Sequence, residues 1–260
     1  MSQLPLGQNL MGSSSKWPRL AKLRNTVVFI AVMLMGLGNW ADTKALAVEA
    51  YEGFVAHFTN QIEDKVVADI DVGNYLPFVE QRLGIPQVVK TSALDNRYEY
   101  RYYKQQKYLL ALIVDKERVV AVTVHSLPFN NPLLDGFTPA VPFTKQLLHK
   151  NSLAQAVSDS NHYWYDSRNL RYFMVEDSLG LQGMNLHLLV GFTEYGNVAT
   201  DAQKPLEQLE QAEMQGDTAA QKALASKLQQ QPMSFYSVSE LDSKFIADSL
   251  LTKYEFNAYF

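Results

Sequence analysis

The chain contains no cysteine. That excludes thiol nucleophiles, disulfides, Cys-ligated zinc and a lipidated N-terminal cysteine together. There is no Asp or Glu before Asp42. The apolar run Thr26 to Gly38 is only thirteen residues. Catalytic signatures are missing as well: there is no Gly-x-Ser-x-Gly elbow and no phosphate loop. The five histidines, His57, His125, His149, His162 and His187, are never three or four residues apart, so no helical zinc motif exists. No catalytic residue, metal or cofactor is expected.

What the N-terminus does have is a charge asymmetry. Lys16, Arg19, Lys22 and Arg24 precede the apolar run, and Trp40 and Asp42 follow it. Cations on one flank hold that flank in the cytoplasm and send the following chain across the membrane. Thirteen helical residues rise ~20 Å against a hydrocarbon core of roughly 30 Å. That is the length of a signal-peptide core, and Gly36, Gly38 and Ala45-Leu46-Ala47 offer small residues for cleavage. Leu20 and Leu23 extend the apolar character, and Lys22 and Arg24 can snorkel. Ala47, Tyr51, Phe54, Phe58 and Ile62 keep a helical spacing to about Lys65. The expectation is a disordered cytoplasmic tail over 1–25, a transmembrane anchor (or signal peptide) over 26–41 and a juxtamembrane helix over 42–65. Membrane contact is through residues 26–41.

Set apart from those four cations, the chain's 23 basic and 27 acidic residues leave the remainder at a formal charge of −8. An acidic domain lacks the clustered Lys and Arg that nucleic acid requires, so no nucleic-acid partner is expected.

Residues 66–203 read as an α/β domain. Asp71-Val72-Gly73-Asn74 is a turn into a short helix with Leu76, Val79 and Leu83 on its apolar face, Pro77 in its first turn and Gly84 at its end. Arg97–Tyr103 alternates, with Tyr98, Tyr100 and Tyr102 on one face. Lys107–Val114 and Val119–Val124 are apolar on both faces and are joined by the turn Asp115-Lys116-Glu117-Arg118. Short connections imply antiparallel hairpins, and strands apolar on both sides must be covered on both sides.

Val72-Gly73, Val79-Glu80-x-x-Leu83-Gly84-x-Pro86, Tyr98-x-Tyr100, Asp115 and Val119-Val120 together resemble the outer-membrane assembly lipoproteins of the SmpA/OmlA (BamE) type. With Tyr172-Phe173-x-Val175-Glu176 and Gly180-x-x-Gly183, the wider region is similar to a family of single-pass bacterial envelope proteins. The lipoprotein resemblance implies two helices against a three-stranded antiparallel sheet, a shape shared with the β-lactamase-inhibitor proteins. The two together imply a bacterial inner-membrane protein, N-terminus cytoplasmic and main domain periplasmic or extracellular. They carry over no catalytic residue.

Further along, Ser152–Val157 signals a short helix, and Leu170–Glu176 and Asn185–Thr193 read as strands. This order echoes the first unit, as a tandem duplication would. Residues 204–230 are rich in Gln, Ala, Glu and Lys, with apolar faces at Leu206, Leu209 and Ala212 and at Leu224 and Leu228. They read as a polar, protruding helical hairpin capped by Asp217. Ser237-x-x-Glu240 reads as a capping box before a last helix. The segment 204–260 is thus expected to form a helical hairpin and C-terminal helix. The fold class is α+β: an N-terminal membrane helix, an antiparallel sheet with helices packed on it, and a helical hairpin near the C-terminus.

Aromatics are the most suggestive group. Tyr98, Tyr100 and Tyr102, with Trp164 between Tyr163 and Tyr165, are the candidate ligand-binding residues, because an open tyrosine face stacks sugars or peptides. Glu176-Asp177 is an acidic pair, but neighbours on a strand point to opposite faces. Two functions fit: a membrane-tethered, non-enzymatic protein-interaction or envelope accessory module with a protein partner, or an envelope hydrolase or small-ligand or glycan-binding domain using its aromatic face.

Overall fold

Two adjacent strands that are apolar on both faces need cover on both sides, and the sheet they belong to has it. The structure, a computed structural model, describes residues 26–33, 44, 46, 48, 60–129, 136–157, 162–196 and 202–260. The chain divides into two units, 1–57 and 58–260. In the first, residues 26–33 are helical, and Val27, Val28, Phe29, Ile30, Val32 and Met33 are all more than half exposed. Among the described residues no helix is long and apolar enough to cross a membrane. The expected tail at 1–25 and most of the expected segments 26–41 and 42–65 lie outside the described residues.

In the second unit, α1 (Gln61–Ala68) and α2 (Leu76–Leu83) lead into β1 (Val88–Thr91), β2 (Tyr98–Lys104), β3 (Tyr108–Asp115) and β4 (Arg118–Ser126). A single-turn α3 (Leu153–Ala156) precedes β5 (Tyr163–Asp166), β6 (Tyr172–Ser178) and β7 (His187–Phe192). The hairpin α4 (Gln203–Met214) and α5 (Thr218–Gln229) follows, then β8 (Phe235–Ser239), α6 (Ser243–Ser249) and α7 (Lys253–Tyr259). The strands form one antiparallel sheet in the order β1-β2-β3-β4-β8-β7-β6-β5.

Local chemistry sets these elements as expected. Gly73 takes φ 95° in the turn before α2, and Gly84 takes φ 80° at its end, a region that side chains resist. Asp217 accepts from the Ala220 N–H at 2.9 Å and caps α5. Ser152 and Gln155 form a reciprocal capping box on α3. The two edge strands, β1 and β5, are four residues each, too short to show a legible period.

The sheet has two cores. On one face Leu110, Leu112, Val124, Phe173 and Val190 pack with Val67 and Val79 of the first helices. On the other, Tyr100, Tyr102, Ile113, Met174 and Phe235 pack with Ile246, Leu250 and Leu251. Gly191 sits where β6, β7 and β8 crowd: a Cβ there would fall 2.5 Å from the Phe173 carbonyl and 2.7 Å from the Phe235 ring.

Three expectations change. Ser237-x-x-Glu240 is not a helix cap: Ser237 lies in β8, and the N-cap of α6 is Asp242. All five β8 residues are buried because the strand is flanked by β4 and β7 and covered on both faces. Five residues with two serines carry too little hydrophobic signal to announce such a strand. Nor is the hairpin a polar protrusion. Leu206, Leu209, Ala225 and Leu228 are buried in the same core as Phe173 and Phe192. Two helices sharing one narrow apolar stripe need few apolar residues each. The boundary expected between 66–203 and 204–260 falls inside one unit. The first helix pair precedes β1, and the second lies between β7 and β8.

Leu209→Ala and Leu228→Ala should each cost about 2–5 kcal/mol, as for buried leucines that leave a cavity. Urea denaturation of the two variants checks this, and unchanged midpoints would put the hairpin outside the core.

Candidate functional site

β2 alternates, so Tyr98, Tyr100 and Tyr102 share a face, and α6 roofs that face. All three are buried. The Tyr100 hydroxyl donates to Asp248 Oδ2 at 2.5 Å, and the Tyr102 hydroxyl donates to the Ser249 carbonyl at 2.7 Å. Tyr98 meets Phe245 edge to face, with ring centroids 5.0 Å apart. Asp248 also accepts from Ser92 Oγ at 2.8 Å and from the Ala93 N–H at 3.0 Å. Burial, then the bond to Asp248, pushes the Tyr100 phenol far above its usual range. These rings are core in this structure, with no open face to stack a ligand. A remote C-terminal helix supplies the roof, and no pattern within β2 could reveal it.

Trp164 is elsewhere. It lies on edge strand β5 and is 42% exposed. It borders a hollow of about 430 Å³ with Tyr163, Tyr165, Arg168, Glu210 and Glu213. Tyr165 donates to Glu213, and Arg168 pairs with Glu210. The polar groups there are already satisfied by one another. The structure therefore does not bring Trp164 together with the three tyrosines.

Glu176 and His187 do meet. They pair near the end of the β6–β7 ladder, with His187 Nδ1 2.6 Å from Glu176 Oε1. Ser243 donates its hydroxyl to the other Glu176 oxygen. The serine contacts the carboxylate and not the imidazole, so this is not the nucleophile–base–carboxylate order of a hydrolase. Tyr98 lies four strands from β7 in the sheet order, about 19 Å at the usual strand spacing. No pocket unites Tyr98, Glu176 and His187. Among the described residues no group of three or more His, Asp or Glu could hold a metal ion.

A further concavity is one that sequence reading missed. A cleft of about 910 Å³ lies over the seam between β4 and β8, floored by Val122, Tyr236 and Val238. Its walls are the end of α1 with the following turn, the segment Thr138–Leu147, and the turn at Met184–Leu186. Among the described residues no lysine, arginine or histidine lines it, while Asp64 and Asp71 do. Phe143 and Met184 stand on its rim, 60% and 76% exposed. Both take positive φ, 62° and 58°, a conformation that costs a bulky residue on the order of 1–3 kcal/mol. The Tyr236 phenol is pushed well above its usual range by burial and then by Asp64 and Asp71, so both carboxylates act on the same floor. Burial and neighbouring Glu63 raise the Asp64 carboxyl, against the pull of Lys107. The wall residues come from three segments far apart in sequence, which is why no local motif marks them.

His125 of β4 is also perturbed. It is 1% exposed, between the rings of Tyr195 and Phe235 at 5.3 and 5.0 Å. Its Nδ1 has no hydrogen-bond partner among the described residues. Burial lowers its pKa from 6.5 to about 3. The unfolded chain gains this proton below about pH 6.5, while the folded chain resists it until about pH 3. This contribution to stability is complete above 6.5 and lost as pH falls toward 3, at about 1.4 kcal/mol per unit. Denaturant titrations at pH 7 and pH 4.5 should show a loss of about 2–3 kcal/mol from this residue that His125→Leu abolishes.

No protein family, curated protein or solved structure matches the chain.

Proposed function

We propose that this is a membrane-tethered extracytoplasmic protein acting as a non-enzymatic protein-interaction module of the bacterial envelope. The observation that carries the proposal is the seam cleft. It is open and largely apolar, about 910 Å³, within the range of roughly 300–1,000 Å³ typical of binding sites. It holds two carboxylates but no partnered nucleophile or acid–base pair of the kind catalysis needs. The tether rests on the sequence: four cations ahead of an apolar run, and no acid before Asp42. The exposed apolar side chains of 26–33 agree with a segment that meets lipid. The likeness to envelope assembly lipoproteins rests on the quoted residues alone and points the same way.

A small-ligand or glycan reading keeps one specific observation, the exposed indole of Trp164 beside the hollow at Arg168 and Glu210. Its polar groups are engaged with each other, so the cleft is the stronger site.

Alkaline phosphatase fused after Ser126 should be active in bacterial cells, and inactivity would overturn the topology. Crosslinking in intact membranes followed by affinity purification should return one reproducible protein partner. Return of the protein alone would count against the interaction role.

A further inference from the structure

We propose that the seam cleft is built to take a basic, amphipathic peptide segment of a partner protein, inserted apolar face down with its cations toward Asp64 and Asp71. This rests on the protein-interaction reading above and names the site and the chemistry of what it holds.

The cleft offers an apolar surface with an acidic border. Its floor is Val122, Val238 and the ring of Tyr236, and its rim is Phe143 and Met184. The floor is buried, whereas the rim side chains Phe143 and Met184 are held exposed and gain when covered. Their left-handed backbone fixes them there. Where a segment meets a groove in this way, apolar anchors supply affinity and the charged border supplies orientation. The volume has room for about two turns of a helix some 10–12 Å across.

Charge selects among occupants. Asp64 and Asp71 line the cleft, and among the described residues no cation does. Lys107, the cation that acts on Asp64, is already held by Glu63 and Asn60, at 3.4 and 2.7 Å. The two carboxylates therefore keep an uncompensated field over an apolar floor, where it is stronger than in water. A fatty acid or an anionic lipid headgroup would bring like charge and be repelled. A neutral apolar chain would leave both carboxylates partly desolvated and unpaired, which is costly. A second copy of this body is acidic overall and repels at long range. A segment carrying Lys or Arg beside Leu, Ile or Phe satisfies floor, rim and field together.

The test uses the full chain in nanodiscs of neutral lipid and a fluorescent leucine–lysine amphipathic peptide of about twelve residues, with its leucine–glutamate counterpart as control. Anisotropy should show saturable binding of the lysine peptide, weakened by added salt, and none of the glutamate peptide. Asp64→Asn with Asp71→Asn should weaken binding roughly tenfold and remove most of the salt dependence. Phe143→Asn with Met184→Asn should weaken it about as much but leave the salt dependence, and asparagine suits both left-handed positions. All four residues are exposed, and circular dichroism confirms that each variant is folded. Equal binding of both peptides, no saturable binding, or binding unchanged by both pairs would overturn the site. So would a lipid or a second copy released by the same substitutions, read by native mass spectrometry. A crosslinked partner retained by both variants would leave the interaction role standing and remove this cleft from it. Peptide binding at the cleft with no partner in the envelope would do the reverse.

Discussion

The molecule depends on five residues in the middle of its sheet. Phe235–Ser239 pairs with β4 along Ala121–His125 and with β7 along His187–Gly191. Without it the body would be two separate meanders, each with an unsatisfied edge and an uncovered apolar face. Because β8 arrives last in the sequence of strands, the first half cannot complete its sheet until the chain beyond residue 230 has been made. The same insertion fixes where the helices go. α2 reaches over β2 through Glu80 and Arg101, 2.6 Å apart. α4 reaches β5 through Tyr165–Glu213 and its own neighbour Glu210 with Ser167. The seam between them is walled by the end of α1 and by loop segments, and the hollow they leave is the cleft.

Burial on both faces has a second consequence. The central strands must be small or polar-satisfied where the opposite layer comes close. Thr123 and Ser237 face each other across β4 and β8 and share a hydrogen bond of 2.9 Å. Ser239 bonds the Leu241 backbone in both directions, at 3.0 and 2.8 Å. Gly191 leaves space for the Phe235 ring. These residues look like surface chemistry in a linear sequence. In the fold they let α6 and α7 lie close against the sheet, and His125 is the member of the group whose nitrogen is left unpaired.

How much was legible follows from how local each signal is. Turn chemistry at Gly73, Gly84 and Asp217 depends on a few adjacent residues, so those elements were readable. So were β3 and β4, whose runs are long and apolar. The cover over Tyr98, Tyr100 and Tyr102 comes from Asp248 and Ser249, some 150 residues later. A tyrosine face that is roofed and one that is open have the same alternation. The docking of α4 and α5 had the same ambiguity, because an apolar stripe of two or three residues fits either a surface hairpin or a shared core face. The cleft was the least legible, since its walls come from α1, Thr138–Leu147 and Met184–Leu186 and meet only through the β4–β8 pairing.

The proposed site lies at the seam for a physical reason. Edge hollows such as that beside Trp164 satisfy their own charges and have little left for a ligand. Roofed faces such as that of Tyr100 have their donors engaged and their area already removed from water. At the seam, the end of α1 and two loop segments frame a buried floor and leave its rim open. They leave apolar area exposed, two carboxylates without a paired cation among the described residues, and backbone strain at Phe143 and Met184. Each of these is unfavourable in the isolated molecule. One occupant that is apolar on one side and basic on the other relieves the first two together, which a closed core has no need of.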